Sequence, residues 1–161
     1  MKPLIVFYSH SGNTRRVAQA IAALIGGDCR ELLPVSPYPT DYDTVVEQAR
    51  KEIRQGFLPE LQPLDIDWNT YDTVLIGTPN WWSTMAPPVA AFLRQTNLSG
   101  KGVALFCTHG GGGLARVARD AAKECPSLDQ GAAFDIYGDG GNAPEPKLRS
   151  WLDGLGLISS N

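Results

Sequence analysis

The sequence predicts an α/β fold: a parallel sheet with helices on both faces, in a single domain spanning residues 1–161. Three observations carry this. β-rich apolar runs alternate with segments whose apolar residues recur at helical spacing. The first run, Leu4-Ile5-Val6-Phe7-Tyr8, is continuously apolar, as in a strand buried on both faces. The length of 161 residues suits one domain with a sizeable core.

The elements follow in order. After Leu4–Tyr8 comes the polar loop Ser9-His10-Ser11-Gly12-Asn13. Val17, Ile21 and Leu24 then mark a helix that Gly26-Gly27 ends. Cys29–Leu33 reads as a second strand, and Pro34, Pro37 and Pro39 as a rigid loop. Asp41 is placed to N-cap a helix carrying Tyr42, Val45, Val46, Ala49 and Ile53, closed by Gly56. Residues 57–71 read as irregular, and Thr73–Gly77 as the third strand.

The loop Thr78–Met85 leads to a helix opening at Pro87-Pro88, with Val89, Phe92 and Leu93 inward. Gly102–Cys107 reads as strand four and Thr108–Gly113 as a glycine-rich loop. The next helix uses Leu114, Val117, Ala118 and Ala121. Ala132–Tyr137 reads as strand five. After Gly138–Asn142, Pro144 opens a last helix with Leu148, Trp151, Leu152 and Leu155.

Composition excludes several classes. Lys and Arg total 14 and Asp and Glu 17, so the net charge is −3, whereas nucleic-acid binders carry a basic excess. The acidic excess lies wholly in the first half, mostly between Asp28 and Asp72. No apolar stretch approaches the roughly 20 residues that span a bilayer. Met1-Lys2-Pro3 and the apolar run after it are too short for a signal peptide. Cys29, Cys107 and Cys125 are odd in number and lack metal-ligand spacing, so three reduced thiols and a cytoplasmic location are expected.

In an open parallel sheet, ligands bind beyond the carboxyl ends of the strands. That directs attention to loops 9–13, 78–85 and 108–113. The first offers hydroxyls, a glycine and an asparagine just before a helix, whose first N–H groups and dipole attract a phosphate monoester. An ordinary helix cap at Ser11 or Asn13 needs one polar residue, and Ser9–Thr14 holds five. Arg15 and Arg16 fall at helical positions expected to face solvent. Neither GxGxxG nor GxxxxGK[ST] is present, which excludes the usual dinucleotide and nucleoside triphosphate loops.

In the second loop, adjacent Trp81 and Trp82 are costly to leave in water and suit a flat aromatic ligand, or else plug the sheet edge. In the third, Gly110–Gly113 allow backbone to approach a ligand closely. His109 is placed to touch the ligand's edge or to donate a proton. The esterase-like His109-Gly110-Gly111-Gly112 lacks a GxSxG partner. Cys107 to Arg116 spans eight intervening residues, too many for a phosphatase loop. A response-regulator receiver needs acids where Ser9 and Thr78 stand.

Taken together, Ser9-x-Ser11-Gly12-Asn13-Thr14, the Trp81-Trp82 loop and Thr108-His109-Gly110-Gly111 resemble the three flavin loops of short-chain flavodoxins. The likeness runs from about Leu4 to Leu157. The resemblance implies a three-layer sandwich with strand order 2-1-3-4-5 and non-covalent FMN. It implies that Ser9, Ser11, Gly12, Asn13 and Thr14 bind the phosphate, with His10 in the same loop. Thr78, Pro79, Asn80, Trp81 and Trp82 pack around the isoalloxazine and ribityl, with Ser83 next to them. Thr108, His109, Gly110 and Gly111 border the other side of the ring. No catalytic side chain and no metal ligand is assigned.

Two features depart from the family's pattern. Ser83 stands where relatives often have the glycine whose peptide flips to stabilise the one-electron-reduced flavin. The three loops also contain no Asp or Glu, whereas electron carriers usually ring the flavin with acids. The expected function is electron transfer through FMN, with a reductase and an acceptor protein as partners. The alternative is an FMN-dependent NAD(P)H oxidoreductase acting on quinones or similar small acceptors. No nucleic-acid or membrane partner is expected, and the chain is expected as a monomer or homodimer.

Overall fold

The computed structural model describes residues 2–141 and 145–158. Its strands are β1 (Leu4–Phe7), β2 (Asp28–Glu31), β3 (Thr73–Trp81), β4 (Thr84–Met85), β5 (Gly102–His109) and β6 (Phe134–Tyr137). Its helices are α1 (Asn13–Ile25), α2 (Tyr42–Gln55), α3 (Pro87–Gln95), α4 (Val117–Glu124) and α5 (Glu145–Gly154). The sheet order is β2-β1-β3-β5-β6, with β4 paired to β3 alone. The five main strands are parallel, with Leu4 beside both Asp28 and Val74, Thr73 beside Gly102, and Phe106 beside Phe134. This is the expected order with one short hairpin strand added.

Alternation along the strands sorts the core into two layers. Leu4, Val6, Val74, Ile76 and Leu105 face Val45 of α2, Val89, Phe92 and Leu93 of α3, and Val117 and Ala121 of α4. Ile5, Phe7, Leu75, Ala104 and Phe106 face Val17, Ala18 and Ile21 of α1 and Leu148 and Leu152 of α5. The helices therefore cover both faces, and the strand carboxyl ends converge on one edge of the sheet.

Several boundaries differ from the sequence reading. The segment Thr78–Trp81 continues β3 and does not form a loop, because β5 pairs with it as far as Pro79↔Thr108 and β4 folds back on Asn80 and Trp81. Strand β5 likewise runs on to His109. β2 ends at Glu31, and the chain turns at Pro34, which bridges to Leu61. β6 begins at Phe134, after a 3-10 turn at Gln130–Ala132. Leu114 precedes α4, whose first turn is Val117. Pro144 lies outside the described residues. Among the described residues, no helix is long and apolar enough to cross a membrane.

Candidate functional site

The loop after β1 is shaped by Ser9 and Gly12. Ser9 is buried, and its Oγ accepts the Gly12 N–H at 3.1 Å and the Arg15 N–H at 3.2 Å. Gly12, not Ser11 or Asn13, sits at the N-cap, with φ 98°. An L side chain is strained in that conformation, and a Cβ there would meet Arg16 Nη1 at 2.9 Å. The first intrahelical bond runs from Arg16 N to Gly12 O at 3.0 Å. The N–H groups of Ser11, Asn13 and Thr14 consequently find no protein partner among the described residues, and they open at the positive end of the helix. A phosphate's oxygens fit such a cradle.

The two arginines after the loop are not free. Arg15 makes a two-point pair with Glu31 of β2, Nε to Oε1 at 2.6 Å and Nη2 to Oε2 at 3.0 Å. That bond holds the Arg15 guanidinium above its usual pKa. Arg16 spans from Asn13 Oδ1 at 2.5 Å to Asp139 Oδ2 at 2.7 Å. The Gly141 N–H, then Arg16, hold the Asp139 carboxyl below the usual carboxylate range. The positive charge near the cradle is thus already matched by acids, and binding there relies on N–H groups and hydroxyls.

The two tryptophans take different roles. Trp81 meets Tyr8, Tyr38 and His10 edge-on, with ring centroids 5.5, 5.2 and 5.9 Å away. Trp82 is 47% exposed and reaches across to α2, where its Nε1–H donates to Val46 O at 2.9 Å. Trp82 and Ser83 form the two-residue turn between β3 and β4, both left-handed at φ 55° and 71°. Hairpins favour this geometry, but usually with Asn, Asp or Gly. Asn80 holds the turn: its Oδ1 accepts the Ser83 N–H at 2.9 Å and its Nδ2 donates to Gly113 O at 2.8 Å. Arg116 N donates to Ser83 O at 2.9 Å.

In the third loop, both ring nitrogens of His109 are engaged. Nδ1 accepts the Gly111 N–H at 3.0 Å, so it carries no proton. Nε2 therefore bears the hydrogen and donates to Asp135 Oδ2 at 2.8 Å. This removes the proton-donor role that the sequence allowed for His109: the ring braces its own loop. Thr108 Oγ1 meets Thr14 Oγ1 at 2.8 Å, tying this loop to the first.

The three segments surround one cavity of about 620 Å³, a size typical of small-molecule sites. His10, Ser11, Asn13, Thr14, Pro79, Asn80, Trp81, Trp82, Thr108, His109 and Gly110 line it. Ser9, Gly12, Thr78, Ser83 and Gly111 do not. Ser9, Gly12 and Gly111 shape the loops, and Ser83 is in the hairpin turn. Thr78 is fully buried, with its Oγ1 donating to Pro79 O at 2.8 Å and accepting from Ala86 N at 3.0 Å.

The sequence reading did not include four cavity residues of α2, Tyr42, Val45, Val46 and Ala49, or Tyr137 and Gly138 after β6. The α2 residues were legible as an apolar helical face, but not as a cavity wall. Tyr137 and Gly138 stand at the carboxyl end of a parallel strand, and that position could have flagged them. Asp135 and Asp139 also reach this end of the sheet, so the fold brings acids that the three loops lack.

The family model for flavodoxin matches residues 2–153, nearly the whole chain. The chain belongs to the flavodoxin family. A candidate flavoprotein from Bacteroides eggerthii is 26% identical, with 98% of this chain and 99% of that one covered and a TM-score of 0.83. A flavoprotein from Lactobacillus acidophilus, solved in complex with FMN, is 27% identical over 93% of this chain and 97% of that one, with a TM-score of 0.73. An archaeal flavodoxin, 18% identical over 98% of this chain and 94% of that one, shares the fold at a TM-score of 0.56. A comparison with curated proteins finds no match. The flavodoxin family assignment and the geometry agree on where to look: the cavity lies beyond β1, β3 and β5, at the centre of the parallel sheet.

Proposed function

We propose that this protein binds FMN without a covalent bond in the 620 Å³ cavity and carries electrons between a reductase and an acceptor protein. The observation that carries the reading is the convergence, in one cavity, of three unpartnered N–H groups at the α1 terminus with aromatic side chains. The cradle accounts for a phosphate, and Trp81, Trp82, Pro79 and Asn80 for a flat heterocycle beside it. The FMN complex of the Lactobacillus acidophilus flavoprotein supports the same assignment.

When bound, FMN supplies the redox chemistry, accepting and releasing electrons one or two at a time. The protein's residues do the holding. Ser11, Asn13 and Thr14 would hold the phosphate, and Trp82 and Gly110 would border the ring. Electron transfer is favoured because no dinucleotide fingerprint is present and because His109 is already committed. His10 Nε2 donates to Pro39 O at 2.7 Å, and His109 is held at both nitrogens. His109 is therefore not free to serve a substrate as an acid or base, and His10 keeps one open nitrogen, Nδ1, among the described residues.

One observation favours the second reading, an NAD(P)H oxidoreductase for quinones or similar small acceptors. The face formed by Val45, Val46 and Ala49 walls the cavity with apolar surface on which a small planar molecule can lie. Mixing the flavin-loaded protein with NADPH and a quinone, with and without a flavodoxin reductase, separates the two. Reduction only through the reductase supports the carrier. Direct NADPH oxidation supports the enzyme. A colourless protein that takes up no FMN sinks both.

A further inference from the structure

The His109 ring ties the Gly111 amide of its own loop to Asp135 on the neighbouring strand. Its Nδ1 is the acceptor for the Gly111 N–H, and its Nε2–H is held by Asp135 of β6. The side chain is only 10% exposed, whereas Asp135 is 44% exposed at the surface. Gly111 has φ 128°, a conformation that favours glycine and leaves the loop with little intrinsic preference for its present path. No other hydrogen bond to the Gly111 N–H is present among the described residues.

The surroundings fix the direction of any proton response. From β6, Asp135 and Tyr137 face the ring, with the Tyr137 centroid 6.1 Å away and edge-on. On its own strand the nearest titratable group is Cys107, whose thiol burial pushes up to about 12. Arg16 and Asp139 are paired with each other at the turn after β6. β3 contributes no ionisable side chain to the cavity, and residues 110–113 are all glycine. Asp135 is thus the one charged partner of His109 among the described residues.

We infer that Asp135 is a positioning residue acting through His109, and that protonation of His109 releases the Gly110–Gly112 stretch from the flavin cavity, while Gly113 O stays bonded to Asn80 Nδ2. A proton taken from solvent on Nδ1 removes the lone pair that receives Gly111 N–H. The imidazolium keeps its bond to Asp135 and gains a full charge attraction there. The loop loses its brace at Gly111, and keeps the one at Gly113, while the ring stays in place. The consequence for cofactor affinity rests on the FMN reading above, but the brace itself does not.

The test begins on the ¹⁵N-labelled apoprotein. NMR of the His109 ring should show the neutral Nε2–H form at high pH, and the Gly111 amide should shift with the same midpoint as His109. Asp135→Asn, which replaces the charged acceptor of Nε2–H, should shift the Gly111 amide at high pH, because the ring is less firmly held. FMN affinity, measured by fluorescence quenching at about pH 8 and about pH 5.5, should weaken on acidification. The loss should be about fivefold greater in the wild type than in His109→Gln, whose amide does not titrate. Titration of the FMN phosphate is common to both proteins and cancels.

An Nδ1–H tautomer, a Gly111 amide indifferent to His109, an unmoved Gly111 amide in Asp135→Asn, or equal acid losses in the two proteins would overturn the inference. Should Asp135→Asn not fold, the wild-type spectra decide alone. Failure to take up FMN at any pH sinks the cofactor assignment and leaves the apoprotein spectra to judge the brace.

Discussion

Thr14 and Thr108, far apart in the chain, meet hydroxyl to hydroxyl at 2.8 Å, and both are almost fully buried at 2% and 3% exposure. One O–H is used in the mutual bond. The other remains for a ligand in the cavity that both residues line. The contact therefore locks the cradle to the third loop and leaves a donor available to the cavity.

Removing either hydroxyl leaves its partner buried and unpaired, a cost of about 1–3 kcal/mol. Thr14→Val and Thr108→Val should each lower stability by that amount in urea unfolding. The double variant should lose less than the sum, because the second change removes an already orphaned group. Additive losses show that the pair does not interact.

The cradle makes a separate prediction for the cofactor. Ser11→Ala should weaken FMN binding by about tenfold or more, since hydrogen bonds to charged groups are worth about 1.5–3 kcal/mol. Thermal stability of the apoprotein should barely change, because Ser11 is exposed. A titration of flavin fluorescence against both proteins checks it. An unchanged dissociation constant places the phosphate elsewhere.

The tryptophans should separate stability from binding. Trp81→Ala removes a ring packed on Tyr8, Tyr38 and His10 and should cost about 3 kcal/mol in unfolding. Trp82→Ala removes a half-exposed ring and should cost far less, while still weakening FMN binding. Equal stability losses would contradict the division of roles.

Packing at Gly77 allows no side chain. A Cβ there would lie 2.2 Å from Cζ of the fully buried Phe106. Gly77→Ala should destabilise by about 3 kcal/mol or cause misfolding. Ser83→Gly acts in the other direction. It relieves a left-handed φ of 71° at the hairpin turn, offset in part by unfolded-chain entropy, for a gain of about 0.5 kcal/mol. Thermal denaturation of the two variants gives the comparison.

Alkaline stability follows from Cys107. Burial, then the charge of Asp135, raises its thiol from 9.0 to about 12. Between these values the unfolded chain gives up the proton and the folded one keeps it. The stabilisation is complete below the unfolded value and is lost as pH rises through the folded one. Tyr8 and Tyr38, also raised first by burial, act with the same sign at higher pH. The fall in urea midpoint between about pH 8.5 and about pH 10.5 should be smaller in Cys107→Ala than in the wild type.

The fold was largely legible in the sequence because its signals are local. The apolar run Leu4–Tyr8, the helical period of Val17 and Ile21, and Pro87-Pro88 each depend on near neighbours. The Asp41 cap is of this kind too: its carboxylate accepts the Thr44 N–H at 2.9 Å. The loop after β1 was legible as a cavity-lining cradle at a helix start from its hydroxyls and glycine. The extension of β3 through Trp81 was not, because it depends on pairing with β5 and β4, both later in the chain.

By itself the sequence determined the element order, the three loops that meet at the cavity and the class of ligand they suit. It did so because strand and helix periods, caps and loop composition are short-range properties. Only the tertiary structure decided which tryptophan is free, that α2 walls the cavity, and that Arg15 and Arg16 are neutralised by Glu31 and Asp139. It also decided that His109 is a brace and not a free acid. Each of these turns on side chains from distant segments meeting within hydrogen-bond range. That meeting is set by how the helices pack on the sheet, which no local pattern encodes.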